Sequence, residues 1–422
     1  MSEAFVGAVA LVTIVAVLTR PRGISEGVWA LGGGLLLVAT GRLSLDDLTH
    51  VLGDLTGVLT FLIGLFWITL AARQAGLFEH AARVIVTRAN GSGVRLMLAV
   101  FAFGTLTTAL LSNDATVVLV TPIVLSACLR LGIPPLPYLF ACSFVADTAS
   151  SLLPISNPIN LLYVERFDLS FGRHVALLAL PTLVAVAVNA GIFYLLFRGQ
   201  LRAGFNTDAV RDWSSAPLRT ADRWIMFGIA AIGFGYLMAA SFGLQPWLIT
   251  LGGGVLLAAV ALGGRRITAI DLVRVQPPSL YAFVVGLALV VRAADVAGLL
   301  GFLGQAVERA GEIGGLSGLL AVTLGTALGT NVVNNWTMAL AISGPLARAD
   351  ASDEIVAGSM LGADIGPNLS VVGSLATLIW LTEVRRGGLA VSGSTYLRLG
   401  LIATIPTILA ATLTLHIIGQ FT

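Results

Sequence analysis

Lysine is absent from this 422-residue sequence, cysteine occurs twice, histidine four times, and only 11% of residues are charged. Each scarcity excludes something. Soluble domains carry roughly 25% charged residues, so a chain that is 57% hydrophobic has too little polar surface to cover a water-facing fold. Two cysteines, Cys128 and Cys142, supply neither a disulfide framework nor a Cys-rich metal site. The basic residues are all arginines, scattered through loops at a net charge of +2, which leaves nucleic acid no patch to bind. No His-Glu-x-x-His run and no Ser/His dyad at depth supports an intramembrane enzyme. His50, His80, His174 and His416 fall near predicted span ends, which leaves no histidine for a proton relay. The first apolar run, Ala4 to Leu18, has Glu3 ahead of it, no basic flank and no small-residue cleavage site. It reads as a retained first span rather than a secretory leader.

Long apolar runs, 48 glycines and a mean hydropathy of +0.93 are what the sequence does have. They predict an all-α, multi-pass integral membrane protein of the lipid bilayer. A straight span takes about 20 residues. Two pairs of segments are shorter and flank polar breaks: 93–111 with 116–130 around Ser112, Asn113 and Asp114, and 314–330 with 334–347 around Thr330, Asn331, Asn334 and Asn335. Two others, 135–166 and 352–383, are too long for one helix and carry Pro and Gly midway. With both short pairs as re-entrant hairpins, ten full spans remain and the N-terminus lies outside. Eighteen arginines then fall on the cytoplasmic side and five outside, with Arg292 inside a span, as the positive-inside rule asks. Arg292 and Asp295, spaced i, i+3, are expected to pair.

The halves resemble one another. Residues 61–77 (FLIGLFWITLAARQAGL) and 283–299 (FVVGLALVVRAADVAGL) agree at eight of seventeen positions, with Phe61 and Phe283 222 residues apart. Asn113-Asp114 stands opposite Asn334-Asn335 at an offset of 221, and Ala146-Asp147 opposite Ala363-Asp364 at 217. Five spans per half force the second half to insert upside down, the inverted-repeat plan of secondary transporters. The expected layout is a first repeat over 1–198 (hairpin 93–131, broken helix 135–166), a cytoplasmic linker over 199–222 with Asn206, Asp208, Asp212, Ser214, Ser215 and Pro217, and a second repeat over 223–422 (hairpin 314–347, broken helix 352–383).

Non-helical backbone at membrane depth is tolerated only where it is buried in protein or lines a cavity. Four such breaks are expected to converge at the midplane. They supply a substrate site from Asn113, Ser156, Asn157, Asn334, Asn335, Gly373 and Ser374, with free N–H and C=O groups at the broken helix ends. Asp114, Asp147 and Asp364 lie at the same depth. A carboxylate there costs about 2.5–3.5 kcal/mol on insertion scales, which marks it as functional. Proton carrier, helix cap and cation ligand all remain open as roles. Asp114 is replaced by Asn335 in the second half, whereas Asp147 and Asp364 are kept as a pair. That pair is the first place to look for a proton. Cys128 and Cys142 read as small buried hydrophobes.

These residues resemble the ion-transporter superfamily, and within it the ArsB-type arsenite/antimonite efflux pumps. The resemblance is carried by Asn113-Asp114 with Leu119-Val-Thr-Pro-Ile-Val-Leu125, by Val145-Ala-Asp-Thr-Ala-Ser150 with Ser156-Asn157, and by the second-half blocks Asn334-Asn335, Gly362-Ala-Asp-Ile-Gly-Pro367 and Gly373-Ser-Leu-Ala-Thr-Leu-Ile-Trp380. It spans essentially the whole chain. What it implies is export of arsenous or antimonous acid across the inner (plasma) membrane in exchange for protons, with no cofactor; the hairpins and broken helices are expected to move as one unit in elevator-like alternating access. It also admits a soluble ATPase partner, since this chain has no Walker A motif. Dicarboxylate carriers of the superfamily carry paired Ser-Asn-Thr motifs, and here the third position is Asp114 or Pro158. A dicarboxylate substrate is thereby disfavoured, while Na+/H+ antiport, or carriage of another anion or carboxylate, stays open as the alternative.

Overall fold

The computed structural model describes residues 2–206, 219–242 and 244–421, and all its regular structure there is helical. The expected linker residues Asp208, Asp212, Ser214, Ser215 and Pro217 lie outside the described residues. The first half runs α1 (Ser2–Thr19), α2 (Glu26–Ala39), α3 (Leu45–Gln74), α4 (Leu77–Ala89), α5 (Gly93–Leu110), α6 (Asn113–Leu131), α7 (Leu136–Thr148), α8 (Pro158–Arg166) and α9 (Phe171–Leu201). The second runs α10 (Thr220–Phe242), α11 (Pro246–Gly263), the short α12 (Ala269–Arg274) leading into α13 (Pro278–Val296), α14 (Gly301–Ile313), α15 (Gly315–Val333), α16 (Asn335–Arg348), α17 (Asp353–Ile365), α18 (Leu375–Arg386) and α19 (Gly393–Gly419). Apart from α12, the two series correspond one to one.

The packing corresponds as well. α2 lies against α13 while α11 lies against α3, and α9 packs on α19. Glycines permit the first two crossings. A Cβ on Gly64 would come 2.5 Å from the Thr250 carbonyl oxygen, and one on Gly286 would come 2.2 Å from the backbone of Ala30 and Leu31. Close backbone approach through small residues is how membrane helices pack when lipid supplies no hydrophobic drive between them.

Local chemistry explains the helix ends. Ser44 and Asp47 form a reciprocal capping box at the start of α3. Ser170, Ser352 and Ser392 cap α9, α17 and α19. α4 and α14 are short and buried on one side only, through Phe78, Ala82, Val86 and Ala89 in the first and Val307 and Ala310 in the second.

Among the described residues, eight helices, counting α12 and α13 as one, are long and apolar enough to cross a membrane, and α5, α6 and α15 are among them. α6 is thus longer than its apolar segment suggests, because Ser112 caps it with its hydroxyl on the Ala115 amide and starts that helix at Asn113 rather than 116. Just beyond the tip, Thr116–Val120 form a π-helical turn. Such bulges are frequent at functional sites.

Element ends also meet through ion pairs. Arg173 reaches Asp353 at 2.7 Å and Arg266 pairs with Asp222, while His416 Nδ1 shares a 2.9 Å hydrogen bond with Glu354. The expected Arg292–Asp295 pair is present, at the long end of ion-pair distance. Those two groups stand 4.0 Å apart, and each has a closer partner: Asp47 at 2.8 Å for Arg292, and Arg348 at 2.9 Å for Asp295. Helical spacing made them neighbours, but tertiary packing brought better-aimed groups to both.

Candidate functional site

Two broken helices cross at the centre of the molecule. α7 ends at Thr148, and the chain runs irregularly through a 3-10 turn (Pro154–Ser156) before α8 starts at Pro158. α17 ends at Ile365, passes through the 3-10 turn Gly366–Leu369, and restarts as α18 at Leu375. Each restart needs an N-cap. Asn157 caps α8 by accepting from the Ile159 amide at 3.2 Å, and Ser374 caps α18 by accepting from the Thr377 amide at 3.0 Å.

Each capping residue then donates across to the other half. Asn157 Nδ2 donates to Asp364 Oδ1 at 2.7 Å, and Ser374 Oγ donates to Asp147 Oδ2 at 3.2 Å. Asn157 and Ser374 are 217 residues apart, and so are Asp147 and Asp364. The exchange is therefore reciprocal, residue for residue. Ser151 adds a 2.7 Å bond to Asp364, while Thr377 (3.3 Å) and Asn113 (3.4 Å) add theirs to Asp147. Both carboxylates are sealed from solvent, at 1% and 0% exposure. A buried charge without such donors would be strongly destabilising.

The two hairpin tips behave differently. Asn113 reaches the Asp147 carboxylate. Asn334 instead donates weakly to the Val372 carbonyl at 3.5 Å and caps α16 through the Trp336 amide, while the Asn335 amide donates to the Gly373 carbonyl at 2.9 Å. Gly373 has no room for a side chain, since a Cβ would stand 2.6 Å from Pro367 and 2.9 Å from Asn331 Oδ1. Ser156 accepts from the Leu153 amide at 3.1 Å and so fixes the first break locally. All seven expected binding residues thus lie in or against the four breaks, and each makes bonds that shape them.

Asp114 stands apart. It sits in the first turn of α6, half-buried, and among the described residues no group donates to its carboxylate. It lines a cavity of about 350 Å³ with Ser112, Phe66, Arg73 and Leu280.

Sequence reasoning missed some of the supporting residues. His174 lies near the start of α9, as its spacing suggests, yet it is fully buried and its Nε2 meets the Ser151 carbonyl at 3.1 Å. Asn189 donates to Thr148 at 2.9 Å, and Asn368 donates to the Phe144 carbonyl and to Thr148, both at 3.1 Å. Asn189 was the legible one, the single amide in the long apolar stretch 175–197 of α9. Behind the site, Phe140, Phe144, Phe193, Trp380 and Tyr396 form one aromatic block. Cys128 and Cys142 are buried hydrophobes, as expected.

A core of broken helices with paired carboxylates, inside a coat of long apolar helices, defines a multi-pass membrane transporter rather than an enzyme. The comparisons with known proteins identify which kind. Residues 5–418 match the family described as ArsB, arsenical pump membrane protein, and the chain belongs to that family. It is similar to the arsenical pump membrane proteins of Yersinia enterocolitica (29% identity over 95% of this chain and 96% of that one) and of Escherichia coli K12 (28%, over 99% of each). Among solved structures it shares its fold with the YdaH transporter of Alcanivorax borkumensis (TM-score 0.59, 16% identity, 88% of each chain) and with MtrF of Neisseria gonorrhoeae (TM-score 0.53, 16% identity, 88% of this chain and 83% of that one), the latter described within a class of antimetabolite efflux pumps.

Proposed function

We propose that this chain exports trivalent arsenic, as arsenous acid and with antimonous acid as a close alternative, from the cytoplasm in exchange for protons. The observation that carries the reading is the reciprocal exchange of caps and carboxylates between the halves. It creates one buried polar centre in which two opposed broken helices present N–H, O–H and C=O groups together. Arsenous acid is a small, largely neutral trihydroxyl, and such a centre offers it both donors and acceptors. The relatives' printed name, arsenical pump membrane protein, favours the same class of solute. Binding through oxygen also favours release, because two buried thiols cannot form a three-thiolate cage.

In this reading the halves are inverted repeats. The hairpins α5–α6 and α15–α16, with the broken helices α7–α8 and α17–α18, form a unit that moves against the remaining spans. Length alone does not make α5 and α6 re-entrant, since 18 residues reach about 27 Å at 1.5 Å each. Their pairing with the breaks is what supports it. We assign the proton to Asp114 rather than to the Asp147–Asp364 pair. Asp147 and Asp364 are held by donors from the opposite half and clasp the unit together, whereas Asp114 faces a cavity with its carboxylate unengaged.

Everted vesicles test this. Wild type should accumulate arsenite when the lumen is acid. Asp114→Asn should lose that gradient dependence at least tenfold yet keep arsenite–arsenite exchange, which requires no proton step. Replacing both cysteines with Ser should change neither. Gradient-driven uptake surviving in Asp114→Asn removes the proton from that residue, and sodium-driven proton movement with no arsenite uptake makes the chain a Na+/H+ antiporter.

A further inference from the structure

A second cavity, of about 270 Å³, lies between α3, α8, α13 and α16. It is the repeat image of the cavity beside Asp114. Phe66, Thr69, Leu70 and Arg73 line the first cavity, and Ala288, Val291, Arg292 and Asp295 line the second, each 222 residues on. Leu119 and Leu340, 221 apart, match in the same way, as do Leu162 and Ile379, 217 apart. Two cavities at repeat-related places on one buried centre are the geometry that alternating access needs, one for each side of the membrane.

Their walls differ in one respect. The second cavity is bordered by a continuous ion-pair chain. Asp47 in the first turn of α3 takes Arg292 Nη2 at 2.8 Å and Nε at 3.0 Å, Arg292 stands 4.0 Å from Asp295, and Asp295 takes Arg348 Nη1 at 2.9 Å. Arg348 closes α16, so the chain links the second hairpin to α13 and α3. Gly344 lies beneath it, where a Cβ would be 3.5 Å from Arg348 Nη1 and 3.7 Å from both Arg166 Nη2 and Asp295 Oδ2. At the repeat-related positions beside the first cavity stand Asp271 (the capping-box counterpart of Asp47), Leu70, Arg73 and Ala127; with no charge at 70 or 127 they cannot form such a chain.

We infer that the second cavity is the release chamber for the transported hydroxylated solute, and that the Asp47–Arg292–Asp295–Arg348 chain is its latch. This rests on the alternating-access reading above. The chain crosses the boundary between the hairpin and the static spans, so opening the chamber outward must break the Asp295–Arg348 contact. The first cavity's own ion pair, Arg20–Glu26 at 3.3 Å, joins the end of α1 to α2 and does not reach the hairpin, so the two gates are unequal by construction. Exposed ion pairs are individually weak, and a weak latch suits a step that must be reversed in every cycle.

The test does not use arsenite, so it stands apart from the substrate assignment. In a chain with Cys128 and Cys142 replaced by Ser, Ala341→Cys reports on the second cavity from outside intact cells, and Leu119→Cys reports on the first from everted vesicles. A membrane-impermeant maleimide is the probe. Asp295→Asn and Arg348→Gln should each raise labelling at residue 341 about two- to five-fold and lower it at residue 119. The double variant should do no more than either single one, because a shared contact is lost only once. Arg348→Lys keeps the charge and should stay near the parent rate. Unchanged labelling at 341 overturns the latch, as does an additive double variant. A rise at 341 without the fall at 119 means local loosening, and that overturns the release chamber.

Discussion

At the scale of single residues, the site is built from side chains that each do two jobs. Asn157 and Ser374 start a helix with one atom set and hold the opposite half's carboxylate with another. The cap is legible in a sequence, because Asn-Pro and Ser-Leu-Ala-Thr after a polar stretch are ordinary helix starts. The second job is not, because a repeat shows which residues are equivalent but not which ones touch. Asn334 makes the same point through its backbone. It holds φ 75° and ψ 153°, a conformation open mainly to glycine, at a cost of order 1–3 kcal/mol. Its side-chain cap on the Trp336 amide helps keep it there. Asn334→Gly should relieve the backbone while losing the cap, and Asn334→Ala should lose the cap and keep the strain. The Ala variant is therefore expected to be the less stable by about 1–3 kcal/mol, read as the lower apparent Tm of the detergent-solubilised protein. Equal values would mean that the backbone relaxes freely there.

The long helices and their breaks were largely visible in the sequence. Hydropathy locates the long helices because a span must be apolar over its length, and Pro, Gly and Asn clusters mark where the two long segments break. Ends were less visible. α6 begins within the polar break because Ser112 caps it, and capping chemistry competes with hydropathy at such boundaries. Crossings were not visible at all, since 48 glycines do not say which ones meet a neighbour. Gly64 and Gly286 do, at repeat-related positions in α3 and α13. Gly286→Ala would push α13 off α2, and Gly64→Ala would push α3 off α11. Overpacking of this kind costs about 1–3 kcal/mol. Gly252→Ala, with nothing within 4 Å of its Cβ, is the matched control and should leave the melting profile unchanged. A Gly286→Ala protein as stable as that control would show that the crossing has slack.

Across the whole molecule, the reciprocal clasp has a consequence for how the protein is made. Synthesis runs from the N-terminus, so Asp147 enters the membrane long before Ser374 and Thr377 exist. Until α18 is complete, Asn113 is its one side-chain donor, and Asp364 in turn depends on Ser151 and Asn157 from a segment already inserted. Neither half satisfies its own carboxylate alone. Expressed as two polypeptides divided between residues 206 and 219, the halves should be degraded singly and accumulate when produced together, as measured by membrane immunoblot. Stable accumulation of either half by itself would show that the clasp is dispensable for assembly. A ribosome that stalls before Ser374 releases a product whose Asp147 carboxylate keeps only its long bond from Asn113. The chain thus postpones its own quality check to its closing segment, where a membrane protease has a chemical reason to tell finished molecules from unfinished ones.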